Sequence, residues 1–100
     1  MDERHDQPRR LLPPLHVRAN GTLFKSREWS EGNLLLDAEG RYAMGALVTI
    51  DAVGLRTDRL KDVGIRGRVN WVADDGAAAI EFLHRDEQAA LVLRQFFDGT

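Results

Sequence analysis

Twelve of the fourteen cationic side chains are arginines, with Lys25 and Lys61 the two lysines. A guanidinium forks onto a carboxylate, a phosphate or the edge of a guanine, whereas an ammonium is a point charge. A GC-rich genome raises arginine content too, and that is the simpler source of the bias. Other chemistry is absent. The chain has no cysteine, so it has no disulfide, thiolate ligand or thiol nucleophile. His5, His16 and His84 are too widely spaced for a local metal motif. No positioned acid and base, no nucleophile–base motif and no phosphate-cradling P-loop stands out, so an enzyme is not expected. Sixteen acids against fourteen bases leave a net charge of −2, which gives no global field for DNA or RNA.

These residues need a scaffold, and 100 residues allow one domain. The composition is that of an ordinary globular chain, 43% hydrophobic and 30% charged. Residues 1–10 carry no large apolar side chain after Met1 and read as a flexible, arginine-containing arm. The domain is expected over 11–100. Leu15, Val17 and Ala19 alternate with His16 and Arg18 as a strand. Asn20-Gly21 predicts a tight hairpin turn into a second strand over Thr22-Leu23-Phe24-Lys25. Ser30-Glu31-Gly32-Asn33 breaks the pattern, Leu34-Leu35-Leu36 restarts it, and Asp37-Ala38-Glu39-Gly40 reads as a turn. A strand is expected over Gly45–Asp51 and an irregular segment over 54–61.

The strongest strand has Ile65, Gly67, Val69 and Trp71 alternating with Arg66, Arg68 and Asn70. After the turn signal Asp74-Asp75-Gly76, residues Ala78, Ile80 and Phe82 face one way. Asp86 is a plausible N-cap for a helix over about 86–97, which places Ala89, Leu93, Phe96 and Phe97 on one face before Gly99 stops it. Six short antiparallel strands and one C-terminal helix predict a small all-β barrel, with the helix across its mouth. OB-like and SH3-like barrels satisfy the same pattern. No apolar run approaches the ~20 residues of a membrane helix, and Met-Asp-Glu-Arg-His-Asp is no signal peptide, so the expected compartment is the cytoplasm.

Three features, in this order, resemble the PilZ domain family, whose members include bacterial receptors for cyclic-di-GMP. Arg9-Arg10 precedes the first strand, where that family has RxxxR. Glu28-Trp29-Ser30-Glu31-Gly32-Asn33 follows the second, where the family has [D/N]xSxxG. Ile65-Arg66-Gly67-Arg68-Val69-Asn70-Trp71-Val72 is similar to its late "xGxVxWV" strand, and Gly45 also fits. The resemblance spans roughly residues 9–97 and rests on order and spacing. The motifs depart from the pattern: Arg4 and Arg9 are one residue too far apart, and Asp6 stands where Arg10 would need its partner. Glu28 replaces Asp or Asn, and Asn33 replaces Gly.

The resemblance implies a six-stranded PilZ-like barrel that binds cyclic-di-GMP through Arg9, Arg10, Glu28, Ser30, Asn33 and Arg68, with no metal and no other cofactor. It equally implies an alternative, an adaptor without a nucleotide that contacts proteins of motility, pilus or exopolysaccharide machinery. Gly32 would supply the missing turn glycine after a one-residue shift, or Asn33 would enter the left-handed region. Plainer readings stand beside these. The arginines belong to a solvated tail, the Ser30 segment is a polar loop, and Arg66 and Arg68 face solvent. Trp71 shares a face with Ile65 and Val69 and reads as core. Trp29, in a loop, is either a lid on the core or a contact residue. The Phe96/Phe97 face is core, or serves a homodimer.

Overall fold

Two turns whose residues tolerate positive φ set the first half of the sheet. Asn20 and Gly21 have φ of 50° and 85°, the pair of values a type I′ hairpin needs. They join β1 (Leu15–Ala19) to β2 (Thr22–Trp29), with Ala19 opposite Thr22. Glu39 and Gly40 repeat the geometry at 53° and 79°, closed by Arg41 N–H donating to the Ala38 carbonyl at 3.0 Å. Between these turns lie β2 and the short β3 (Asn33–Leu36); beyond them come β4 (Leu47–Gly54), β5 (Lys61–Val72), β6 (Ala78–Arg85) and the helix α1 (Glu87–Asp98). The computed structural model describes residues 13–99.

The strands form a closed antiparallel barrel in the order β1-β2-β3-β6-β5-β4, and pairing of β1 with β4 removes both edges. The expected all-β barrel with one C-terminal helix is therefore the observed fold. The core is the inner face of the alternation: Leu15, Val17, Leu36, Ile50, Ile65, Val69 and Ile80 are almost wholly buried. Each such side chain contributes on the order of 1.5–3 kcal/mol over its exposed state. The Arg9-Arg10 arm lies outside the described residues.

The helix starts where the acid at its head predicts. Asp86 Oδ1 accepts from Ala89 N–H at 2.7 Å, and the Asp86 N–H donates to the Gly64 carbonyl at 2.9 Å. A Cβ at position 64 would lie 2.5 Å from Asp86 Oδ2, so a residue without a side chain is what lets the cap dock on β5. Ala89, Val92 and Leu93 are buried, while Phe96 and Phe97 are half-buried against the core. Gly99 ends the helix in a right-handed conformation, with φ −80°, and its N–H donates to the Gln95 carbonyl.

Three expectations are corrected. The second strand runs four residues further than its pattern suggested, so Trp29 is its last residue and not part of a loop. Trp29 is a lid on the core: it is 6% exposed, meets Phe97 edge-on at 6.3 Å, and donates its indole N–H to the Pro13 carbonyl at 3.0 Å. Trp71 is not core. It is 54% exposed, because the β5–β6 register shifts between Val69 and Trp71 and the extra residue turns the indole outward. Neither Gly32 nor Asn33 adopts positive φ, and a Cβ at 32 would meet nothing within 4 Å, so the turn there needs no glycine. No described helix is long and apolar enough to cross a membrane.

Candidate functional site

The outer surface of β2, β3, β6 and β5 gathers most of the residues singled out above. Cα partners run in a row from Glu28 to Leu35, Ala79 and Trp71. A parallel row runs from Asn33 to Glu81, Arg68 and Leu47. Glu28 and Trp71 lie three strand spacings apart, about 14 Å, and a groove of about 340 Å³ joins them. Glu28, Asn33, Leu35, Asn70, Trp71 and Ala79 line it.

Two bulges aim the ends of that row. In β2, strict alternation from Phe24 and Ser26 would bury residue 28 and expose residue 29. The register instead shifts between Ser26 and Glu28, making Arg27 the extra residue, so Glu28 points out and Trp29 points in. Ser26, the one buried polar side chain among the described residues, donates its hydroxyl to the Glu28 carbonyl at 2.7 Å and satisfies the interrupted ladder. In β5 the bulge at Asn70 does the same for Trp71. Without these two insertions neither end of the groove would carry its side chain.

Ser30 shapes this site from inside its own turn. Its hydroxyl accepts from the Gly32 and Asn33 N–H groups at 3.2 and 3.3 Å and donates to Asn33 Oδ1 at 3.2 Å. The Ser30 N–H donates to the Asn33 carbonyl at 2.8 Å, closing the hairpin. With its oxygen so engaged, the exposed Asn33 side chain has its amide N–H groups as its remaining hydrogen-bonding capacity. The loop is also tied to the rest of the fold. The Phe82 N–H donates to the Gly32 carbonyl at 3.0 Å, Arg85 donates to the Glu31 carbonyl, and Arg94 on α1 lies 3.7 Å from the Glu31 carboxylate.

The expected residues thus divide. Glu28 and Asn33 line the groove, Arg68 stands in the adjoining row without an ion pair among the described residues, and Ser30 supports Asn33. Arg66 is exposed on β5, two residues before Arg68. Sequence reasoning missed Trp71 and Asn70. The β2 bulge leaves little trace, since Lys25-Ser26-Arg27-Glu28 are four consecutive polar residues with no alternation to interrupt. The β5 bulge leaves none, because Ile65, Gly67, Val69 and Trp71 alternate without a break.

Elsewhere, Arg27 bridges two turns, binding Asp37 at 2.9 Å and Asp75 at 2.6 Å. The Ala77 N–H and the Arg27 guanidinium hold the Asp75 carboxyl below its usual range, and the Asp75 and Asp37 carboxylates raise Arg27. No group of three or more metal-ligating side chains occurs among the described residues. In comparisons with known proteins, no family model matches the chain and no curated protein matches it significantly.

Proposed function

We propose that this chain is a PilZ-like regulatory domain in bacterial signalling that receives cyclic-di-GMP on the outer groove. The observation that carries the reading is the pair of bulges that turn Glu28 and Trp71 out of the core and into one groove. The chemistry of the groove fits guanine. A carboxylate accepts from the N1–H and N2–H groups of a guanine, and an amide N–H donates to O6, which are the roles available to Glu28 and Asn33. The second base stacks on Trp71, a contact worth about 1–3 kcal/mol. Arg68 faces the phosphates as a fork. Only Leu11 and Leu12 separate Arg10 from Pro13, a reach of at most about 10 Å over three chain steps, and the Pro13 carbonyl accepts a hydrogen bond from Trp29 beside the Ser30 loop.

Isothermal titration of cyclic-di-GMP at two salt concentrations, with GTP as control, tests this. Micromolar, salt-sensitive heat that weakens in Glu28→Gln, Trp71→Ala and the Arg9→Ala/Arg10→Ala double variant is the expected result. No heat and no melting shift at millimolar ligand retires the receptor. The second reading, an adaptor acting without nucleotide, is favoured by Met44 and Leu47, 64% and 68% exposed on the outside of the barrel. It calls for a protein partner whose binding is lost in Leu47→Asp and unaffected by cyclic-di-GMP.

A further inference from the structure

A second groove, away from the one above, lies between the β4–β5 loop and the end of α1. Leu55, Arg56, Arg59, Leu60, Lys61 and Phe96 line a space of about 420 Å³, within the range of binding sites. The loop is folded onto its own base. The Arg59 N–H donates to the Arg56 carbonyl at 3.2 Å, and a Cβ on Gly54 would lie 2.7 Å from the Arg59 carbonyl oxygen, so the segment is packed back over the end of β4. Arg56 is engaged by Asp58 through two parallel bonds at 3.0 and 2.9 Å. Arg59 and Lys61 make no ion pair among the described residues. Two uncompensated cations therefore stand over a wall of leucine and phenylalanine, in a chain whose net charge is negative.

The position of Phe96 decides what kind of anion fits. It belongs to the last turn of α1, which contains no basic residue. That end of a helix carries partial negative charge from its free carbonyls. A compact dianion such as phosphate seated against Phe96 would meet that charge. An apolar side chain seated there, with carboxylates spread outward to Arg59 and Lys61, meets none of it and gains burial and charge attraction together.

We propose that this groove docks an acidic peptide segment of a protein partner, with one aliphatic or aromatic side chain inserted against Leu55, Leu60 and Phe96 and carboxylates paired to Arg59 and Lys61. The site is independent of nucleotide binding and stands whether or not the outer groove takes cyclic-di-GMP.

The test uses a fluorescein-labelled acidic hexapeptide with a central Phe-Leu pair, read by anisotropy against the full chain. Saturable binding that weakens with salt is expected, and the exposed double variant Arg59→Glu/Lys61→Glu should bind at least about tenfold more weakly. Leu55→Gln keeps both cations and should weaken binding without altering the melting temperature. The same peptide with glutamine and asparagine for its acids should not bind, and inorganic pyrophosphate should compete poorly. Absence of saturable binding overturns the proposal, as does an unchanged affinity in the double variant. Pyrophosphate displacing the peptide as well as unlabelled peptide does would also overturn it, in favour of a phosphate site.

Discussion

Replacing each tryptophan by alanine measures the outward turn of β5 directly. Trp71 is 54% exposed, so under half of the roughly 200 Å² that an aromatic side chain can bury is at stake. At about 25 cal/mol per Å² the loss is at most ~2 kcal/mol, an upper bound because the unfolded chain already covers some of that area. Solvent fills the space, so no cavity is added. Trp29 is 6% exposed, and its truncation should cost about 3–5 kcal/mol as transfer and cavity effects combine. It also loses the edge-on contact with Phe97 and the bond to Pro13. Urea denaturation of Trp71→Ala and Trp29→Ala should therefore differ by ~1 kcal/mol or more, Trp29→Ala being the weaker protein. Single-tryptophan proteins provide a second reading. Trp71→Phe leaves a blue-shifted indole shielded from acrylamide, and Trp29→Phe leaves a red-shifted, readily quenched one. Equal destabilisation, or a shielded Trp71, would refute the bulge at Asn70 and with it the groove.

Four further outcomes are expected. Asp86→Ala removes the acceptor for Ala89 N–H and should cost about 0.5–2 kcal/mol in thermal or urea unfolding. Gly67→Ala would set a Cβ 2.8 Å from the Glu81 carbonyl oxygen and 2.5 Å from Ile80 Cγ2. Because the first of these is backbone of the paired strand, a loss of about 1–3 kcal/mol should appear in the urea midpoint. The Asp75 carboxyl is held below its ordinary 3.8, so its contribution is present above that value and is lost as pH falls through the lower folded value. The gap in urea midpoint between the native chain and Asp75→Asn should accordingly be open above 3.8 and close as pH falls below it. Finally, Arg68→Ala should leave stability within about ±0.5 kcal/mol while weakening cyclic-di-GMP in the titration above.

Local chemistry made much of the scaffold legible. Asn20-Gly21 and Glu39-Gly40 sit where two consecutive positive φ values are needed, and Asp86 caps the helix that follows it. The alternating runs at Leu15–Ala19 and Ile65–Val69 bury the residues that period two assigns to the core. Such features depend on a few adjacent residues, so composition and spacing suffice to determine them. Glu28, Asn33 and Arg68 were expected at a site on motif resemblance and order, and the structure puts the first two on the groove and Arg68 in the adjoining row.

Which way Glu28, Trp29 and Trp71 face depended on the tertiary structure. A strand is read in twos only while its partner keeps register, and register belongs to the pair of strands. One inserted residue, Arg27 against β3 or Asn70 against β6, reverses everything beyond it. That reversal sent Trp29 inward to Phe97 and Trp71 outward to the groove. Closure did the rest: with β3 beside β6 and β6 beside β5, residues more than thirty positions apart in sequence came to share one outer row.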